Sequence, residues 1–353
     1  VRASFLNILA KLLIGFFVSA LQFSASYASD GSHKEDSKFN AGEMIIHHIV
    51  DAHEWHVAEF GHTHIIVPLP VILYNQGHLT FFLSNKMENA EEGTKKYGHF
   101  HYSHGHFTAA DGSPVYDFSI TKNTAAMMLS VVILLIIFLG IANAYKKNVG
   151  KAPKGFQSLL EPIILFVRDE IAKASIGEKY ERYMPFLLTV FFFIWVNNLM
   201  GLIPIFPGGA NVTGSISITL VLALFTFIIT TFSGNKTYWA HIFLPDVPKG
   251  LYPLLIPIEL IGVFLKPFVL MVRLFANITA GHIIILGFFS LIFIFGEMNA
   301  GLGYGVSVFS VAFTLFMSFL ELLVAFLQAY VFTLLSALYF GSAVEEHHHD
   351  EHH

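Results

Sequence analysis

The sequence contains no cysteine. Disulfide frameworks, thiolate metal sites and cysteine nucleophiles are therefore excluded. Charge is scarce as well: Asp, Glu, Lys and Arg supply 13% of the 353 residues, where an ordinary soluble domain has about 25%. The formal net charge of −5 offers no basic footprint for a phosphate backbone, so a nucleic-acid partner is excluded. What fills the space is apolar, with 54% hydrophobic residues and 37 Phe. That balance argues against one large soluble enzyme or a disordered chain and points to a polytopic membrane protein.

The chain divides into four parts. Residues 1–28 read as an exported leader, with Arg2 and Lys11 before the apolar stretch Leu12 to Leu21 and small residues at Ser26-Tyr27-Ala28. The alternative is a short retained anchor. Residues 29–123 are polar and rich in histidine. Within them Ile65 to Tyr74 and Leu79 to Leu83 flank Asn75-Gln76-Gly77, which predicts a hairpin. Asp111-Gly112-Ser113-Pro114 is a second turn, followed by a short strand over Val115 to Ile120. A small β-containing extracytoplasmic domain is expected.

Residues 124–340 form the membrane domain, all α-helical, with five expected crossings at about 125–144, 183–205, 215–232, 253–295 and 305–340. Lys146, Lys147, Lys151 and Lys154 follow the first span and mark its cytoplasmic end. A helix over 156–174 has apolar residues at helical spacing on one face and is expected to lie on the membrane surface. The last two apolar segments exceed what a perpendicular crossing of about 20 residues requires, so each is expected to be broken or strongly tilted, with a turn over Glu297 to Gly303. Residues 341–353 are an acidic and histidine-rich tail, which five crossings leave in the cytoplasm.

Ionisable groups inside a membrane are expensive, at roughly 2.5–3.5 kcal/mol on insertion scales, and mark ion paths. Five stand out: Glu259, Lys266, Arg273, His282 and Glu321. The first three are seven apart and share a helical stripe; Glu259 and Lys266 have mutual neutralisation as their plain alternative. Arg273 has no acid within four residues and stays charged, so it needs an anion from elsewhere. His282 is a plausible proton carrier. Glu321 and Gln328 share a face of the final helix, and a Glu and a His meeting across two helices would make a proton relay. For Gln328, Asn277 and Asn197 the alternative is an interhelical hydrogen bond. In the outer segment His62 and His64, His99 and His101, and His104 and His106 have i, i+2 spacing, which on a strand places two rings on one face as a zinc or copper site would need. The plain alternative is an aromatic, polar surface with incidental histidines.

The stretch Arg273-Leu274-Phe275-Ala276-Asn277-Ile278-Thr279-Ala280-Gly281-His282 resembles the signature of subunit a of the F-type ATP synthase. Glu321 to Gln328, Asn197-Asn198-Leu199-Met200-Gly201-Leu202-Ile203-Pro204 and Ala210-Asn211-Val212-Thr213 are similar to further motifs of that family, over about residues 124 to 346. The resemblance implies a bacterial inner-membrane stator subunit, multi-pass, with the mature N-terminus outside and no cofactor or catalytic site of its own. Its implied partners are a ring of c subunits, b subunits, the rest of the synthase and membrane lipid. It implies that Arg273 is the essential arginine between two half-channels. Glu259, His282, Glu321 and Gln328 match positions of those channels and of the ring-facing surface, with Asn277 within the arginine motif. In several relatives the positions of His282 and Glu321 carry an acid and a histidine, so this pair looks exchanged. Asn211 lies where some relatives have Asp. The competing reading is a secondary metal-ion transporter with a histidine capture domain, which a fixed Arg273 cation disfavours. An intramembrane protease is disfavoured too, since there is no HExxH motif and no GxSx pattern with a paired His.

Overall fold

A computed structural model describes residues 40–42, 45, 51–60, 63–89, 95–103, 105–147, 149–150, 152–203, 208–244 and 247–345. The expected leader, His62, His104 and all of the tail after Glu345 lie outside the described residues. The chain forms two compact units. One combines the outer segment up to Ser130 with Leu199–Val212 and Thr279–Leu322; the other combines Val131–Asn198, Thr213–Ile278 and Leu323 onward.

The first unit contains three small antiparallel sheets. β1 (Glu54–Phe60) pairs with β2 (Thr63–Pro68), with a register slip between His56 and Ala58. β3 (Pro70–Asn75), β4 (His78–Leu83) and β9 (Val115–Asp117) form a sheet in the order β4-β3-β9. The expected hairpin is present, with Asn75 opposite His78. Its two-residue turn has Gln76 at φ 46° and Gly77 at φ 85°, the left-handed pair whose twist matches that of the strands. Ile65 to Pro68, expected in the same hairpin, instead belongs to β2. β5 (Glu88–Asn89), β6 (Lys95–Tyr97), β7 (Phe100–Ser103) and β8 (His106–Ala109) make the third sheet. Period-two burial on β3 sends Val71 and Leu73 into a core with Phe82, Phe100 and Phe107, where Phe82 stacks on Tyr97 at 3.8 Å.

The outer domain is stitched to the first long helix. Phe118 and Ile120 donate backbone hydrogen bonds to Ile72 and Pro70, and Lys122 donates to the carbonyl of Ala52. Helix α1 (Lys122–Lys147) then begins, and the Asp51 carboxylate accepts from the Asn123 N–H at 3.0 Å. An anion there satisfies a free amide and complements the positive end of the helix.

Helix α2 (Phe156–Phe166), a π-helical stretch Val167–Lys173 and the short α3 (Ala174–Ile176) occupy the region expected as one amphipathic helix. Gly177, at φ 74°, ends this run before α4 (Tyr180–Leu202). α5 (Ile216–Ser233) follows, and the loop expected after it contains the short helix α6 (Lys236–Phe243). The last two helices are unbroken. α7 runs over Tyr252–Met298 and α8 over Ala300–Val344, so the break offered as an alternative to tilt is absent, and Pro257 and Pro267 are accommodated inside α7. The expected turn over Glu297 to Gly303 shrinks to Asn299, whose side chain accepts from the Gly301 N–H at 2.8 Å and caps α8. A Cβ on Gly303 would come within 2.8 Å of the Gly296 Cα, so two glycines make this tight reversal possible.

The core of the second unit is built from Val167, Ile171, Leu187, Phe191, Ala329 and Phe340, all fully buried. Gly341 packs on the Ser175 carbonyl where a side chain would collide. Asn235 holds the end of α8 through a bond from its N–H to Ala343 and from its amide to Val344.

Candidate proton path

Among the described residues five helices are long and apolar enough to cross a membrane. In the second unit α7 buries Leu270, Met271 and Leu274. That register turns Arg273 outward, together with Phe268, Val269, Val272 and Asn277, four residues beyond Arg273. Among the described residues no carboxylate pairs with Arg273; its charge reaches Tyr339 on α8. A permanent cation on an apolar, exposed helix face needs an anion from outside this unit.

The predicted stripe separates into different roles. Lys266 is half-buried, with its ammonium 5.5 Å from the Tyr339 ring centre, a cation–π arrangement. Glu259 is half-buried and acts electrostatically on Tyr238, whose phenol is pushed up by burial first and by that carboxylate second. No Glu259–Lys266 ion pair forms among the described residues, so mutual neutralisation does not describe them. Gln328 is buried on α8. Asn197 bonds within its own helix, to the Phe193 carbonyl at 2.8 Å, rather than between helices. Its neighbour Asn198 is the interhelical tie: its amide donates to Ala325 at 3.1 Å and its carbonyl oxygen accepts from Thr213.

In the first unit the carboxylate of Glu321 lies against Gly281, in the space a Cβ at 281 would occupy. The missing side chain lets the acid approach α7 at Gly281, one residue before His282. No hydrogen bond joins Glu321 to His282 among the described residues. Lys122, at the start of α1, acts electrostatically on His282.

Unpaired polar atoms mark the surroundings. Thr279, Ser310 and Thr314 each have a buried hydroxyl without a partner among the described residues. Ser310, Thr314 and Glu321 recur at intervals of four and seven, on one face of α8. Asn211 is 9% exposed, and both its amide atoms lack a partner among the described residues. Buried groups of this kind are satisfied by water. Sequence reasoning missed Ser310, Thr314 and the role of Gly281. The spacing of the hydroxyls back from Glu321 was the available signal.

Of the three i, i+2 histidine pairs, two include residues outside the described ones, His62 and His104. No group of three or more His, Asp or Glu able to hold a metal ion exists among the described residues. On β7, His101 stands opposite Thr108, and His106 on β8 stands opposite Ser103. His53 is buried, bonds to Asp117 at 2.8 Å and Tyr102 at 3.3 Å and meets the ring edges of Phe107 and Tyr102. Burial alone would push Asp117 up, but hydrogen bonds from His53 and Ser119 hold it below the ordinary 3.8.

Comparison with known proteins places this geometry. A family model described as ATP synthase A chain matches residues 125–341, and one described as Domain of unknown function (DUF8433) matches residues 44–128. An ATP synthase subunit a from Chloroherpeton thalassium is 42% identical, covering 98% of this chain and 93% of the relative. An ATP synthase subunit a 2 from Prosthecochloris aestuarii is 38% identical over 92% of this chain and 86% of its own. One from Chlorobaculum tepidum is 45% identical over 67% of this chain and 66% of its own. With its five apolar helices and the Arg273 motif, the chain belongs to the ATP synthase subunit a family.

Proposed function

We propose that this chain, the proton-channel stator subunit of the F-type ATP synthase, works through Arg273 on an exposed face of α7 and through Glu321 and His282 where α7 meets α8. The carrying observation is Arg273: an outward cation among exposed apolar residues, with no carboxylate partner among the described residues. The anion it lacks is the mid-membrane carboxylate of a c subunit in the adjoining ring. Arg273 attracts that carboxylate in its charged form and blocks proton flow straight between the two half-channels. The contact must also release as the ring turns. One charge crossing 100 mV is worth about 2.3 kcal/mol, and a dry, permanent ion pair would exceed that. An exposed Arg273 supports a hydrated contact instead.

Glu321 and His282 exchange protons with water along the unpaired hydroxyls of Thr279, Ser310 and Thr314. Glu259, Asn277 and Gln328 line the ring-facing surface or the second half-channel. The mature N-terminus is extracytoplasmic and the C-terminus cytoplasmic, in a bacterial inner membrane, and b subunits complete the stator. The helix run from Phe156 lies on the cytoplasmic membrane surface. The coupled ion is the proton, since His282 and Glu321 both titrate.

The test is ATP-driven proton pumping in membrane vesicles with Arg273→Ala. Loss of pumping in a complex that still assembles supports the mechanism; pumping that persists overturns it. Family membership removes the ground for a metal transporter.

A further inference from the structure

The β4-β3-β9 sheet is apolar on both faces. Its inner face carries Val71, Leu73 and Phe82 into the core. Its outer face carries Tyr74, Leu79, Phe81, Leu83, Tyr116 and Phe118, which are 37–67% exposed. The register makes these one surface: Tyr74 stands between Leu79 and Tyr116, Ile72 opposite Phe81, and Pro70 opposite Leu83. Phe118 joins it by its backbone bond to Ile72. Contiguous exposed apolar surface of this kind marks an interaction site.

The route of the chain says what covers it. After β9 the backbone keeps bonding along β3 as far as Ile120, which donates to Pro70, and α1 starts two residues later at Lys122. Two residues span at most about 7 Å. The Pro70–Leu83 end of the sheet is therefore held near the end of a membrane span, within reach of a headgroup layer about 5–7 Å deep. A six-residue strand is about 20 Å long. Were the sheet upright, Tyr74, Leu79 and Tyr116 at its turn end would stand about that far out in water. Lying flat, the whole face reaches the interface, where tyrosine and other aromatic rings are favoured.

We propose that the outer face of the β4-β3-β9 sheet rests on the lipid bilayer, at the boundary between headgroups and acyl chains around the N-terminal end of α1. The outer domain is then a monotopic membrane anchor as well as an appendage of the first span. This rests on α1 crossing the membrane and is independent of the proton path.

Because the chain has no native cysteine, a nitroxide can be attached at one introduced site at a time. Leu79→Cys, Phe81→Cys and Phe118→Cys probe the face; Lys96→Cys, exposed on β6, is the aqueous reference. Each replaced side chain is well exposed, so the core is untouched. The full chain is reconstituted in phosphatidylethanolamine–phosphatidylglycerol vesicles, and collisions with oxygen, concentrated in lipid, are compared with those of a water-soluble nickel chelate. The expected result is an oxygen-to-nickel ratio several-fold higher at all three face positions than at Lys96. A ratio equal to that at Lys96 overturns the proposal. Nickel access at Leu79 alone overturns it as well, because the sheet then stands upright. Exclusion of both reagents overturns it in favour of a protein cover, such as a second copy of the chain.

Discussion

The N-terminal β domain and the α7–α8 hairpin both bury polar side chains, and several of these are partnered differently. In the outer domain His53 is held by Asp117 and Tyr102, Asn75 donates to Ser113 and Pro114, and Ser84 accepts from the Leu69 N–H. In the hairpin the hydroxyls of Thr279, Ser310 and Thr314 have no partner among the described residues. A satisfied buried network fixes one conformation. Buried unsatisfied groups are instead satisfied by water, and water is what a proton needs in order to move. If the proposed proton path is right, polar residues of the first region serve architecture and those of the second serve transport.

That contrast can be broken experimentally. After Arg273→Ala, the largest effect is expected for Glu321→Gln, which removes a titrating group while keeping its shape. Pumping should slow by at least about a hundredfold, in the range of lost acid–base participation, with assembly intact by native electrophoresis. Gly281→Ala comes next. Its new Cβ meets the flexible end of Glu321 rather than backbone, so the carboxylate moves and the fold survives. A displacement of about 1 Å can cost up to roughly 10²-fold in rate, and pumping assays should show a loss between that and tenfold.

His53→Ala tests the other region. It should destabilise the outer domain by about 1–3 kcal/mol, the cost of leaving a buried partner unpaired, seen as faster amide exchange on β7 and β9. ATP-driven pumping should change little. The same network sets a pH dependence. Asp117 has a depressed pKa in the folded domain, so its contribution is present above the ordinary 3.8 and is lost as pH falls through the lower folded value. The wild-type domain should therefore lose protection below about pH 4 by more than Asp117→Asn does. The smallest effect is expected for Thr314→Val: a few-fold loss of pumping without a change in thermal stability.

Much of this was legible in the chain. Apolar runs fall on the long helices α1, α4, α5, α7 and α8, because a bilayer imposes length and polarity directly. Asn75-Gln76-Gly77 located the hairpin, because few residues tolerate its backbone. Arg273, His282 and Glu321 stood out because charge is rare in such segments. The unreadable parts depended on distant partners. His53 looked like one histidine among many, and regular spacing drew attention to His99 and His101, while its acid lay 64 residues away at Asp117. The π-helical stretch Val167–Lys173 left no signature in a pattern of period 3.6. The hydroxyls near Glu321 were readable in principle, but Ser and Thr in apolar helices more often bond back to their own backbone, as Ser290 does to Leu286.

The turn at Asn299 has an evolutionary consequence. Gly281 lies 18 residues before it and Glu321 lies 22 after it, and the reversal leaves almost no slack. One residue inserted on either side would rotate everything beyond it by about 100° and carry the acid off the glycine. Lineages can lengthen or shorten this hairpin only by changes that compensate across Asn299. Length variation among relatives should therefore appear as matched pairs of insertions flanking the turn, a pattern that sequence alignments can check.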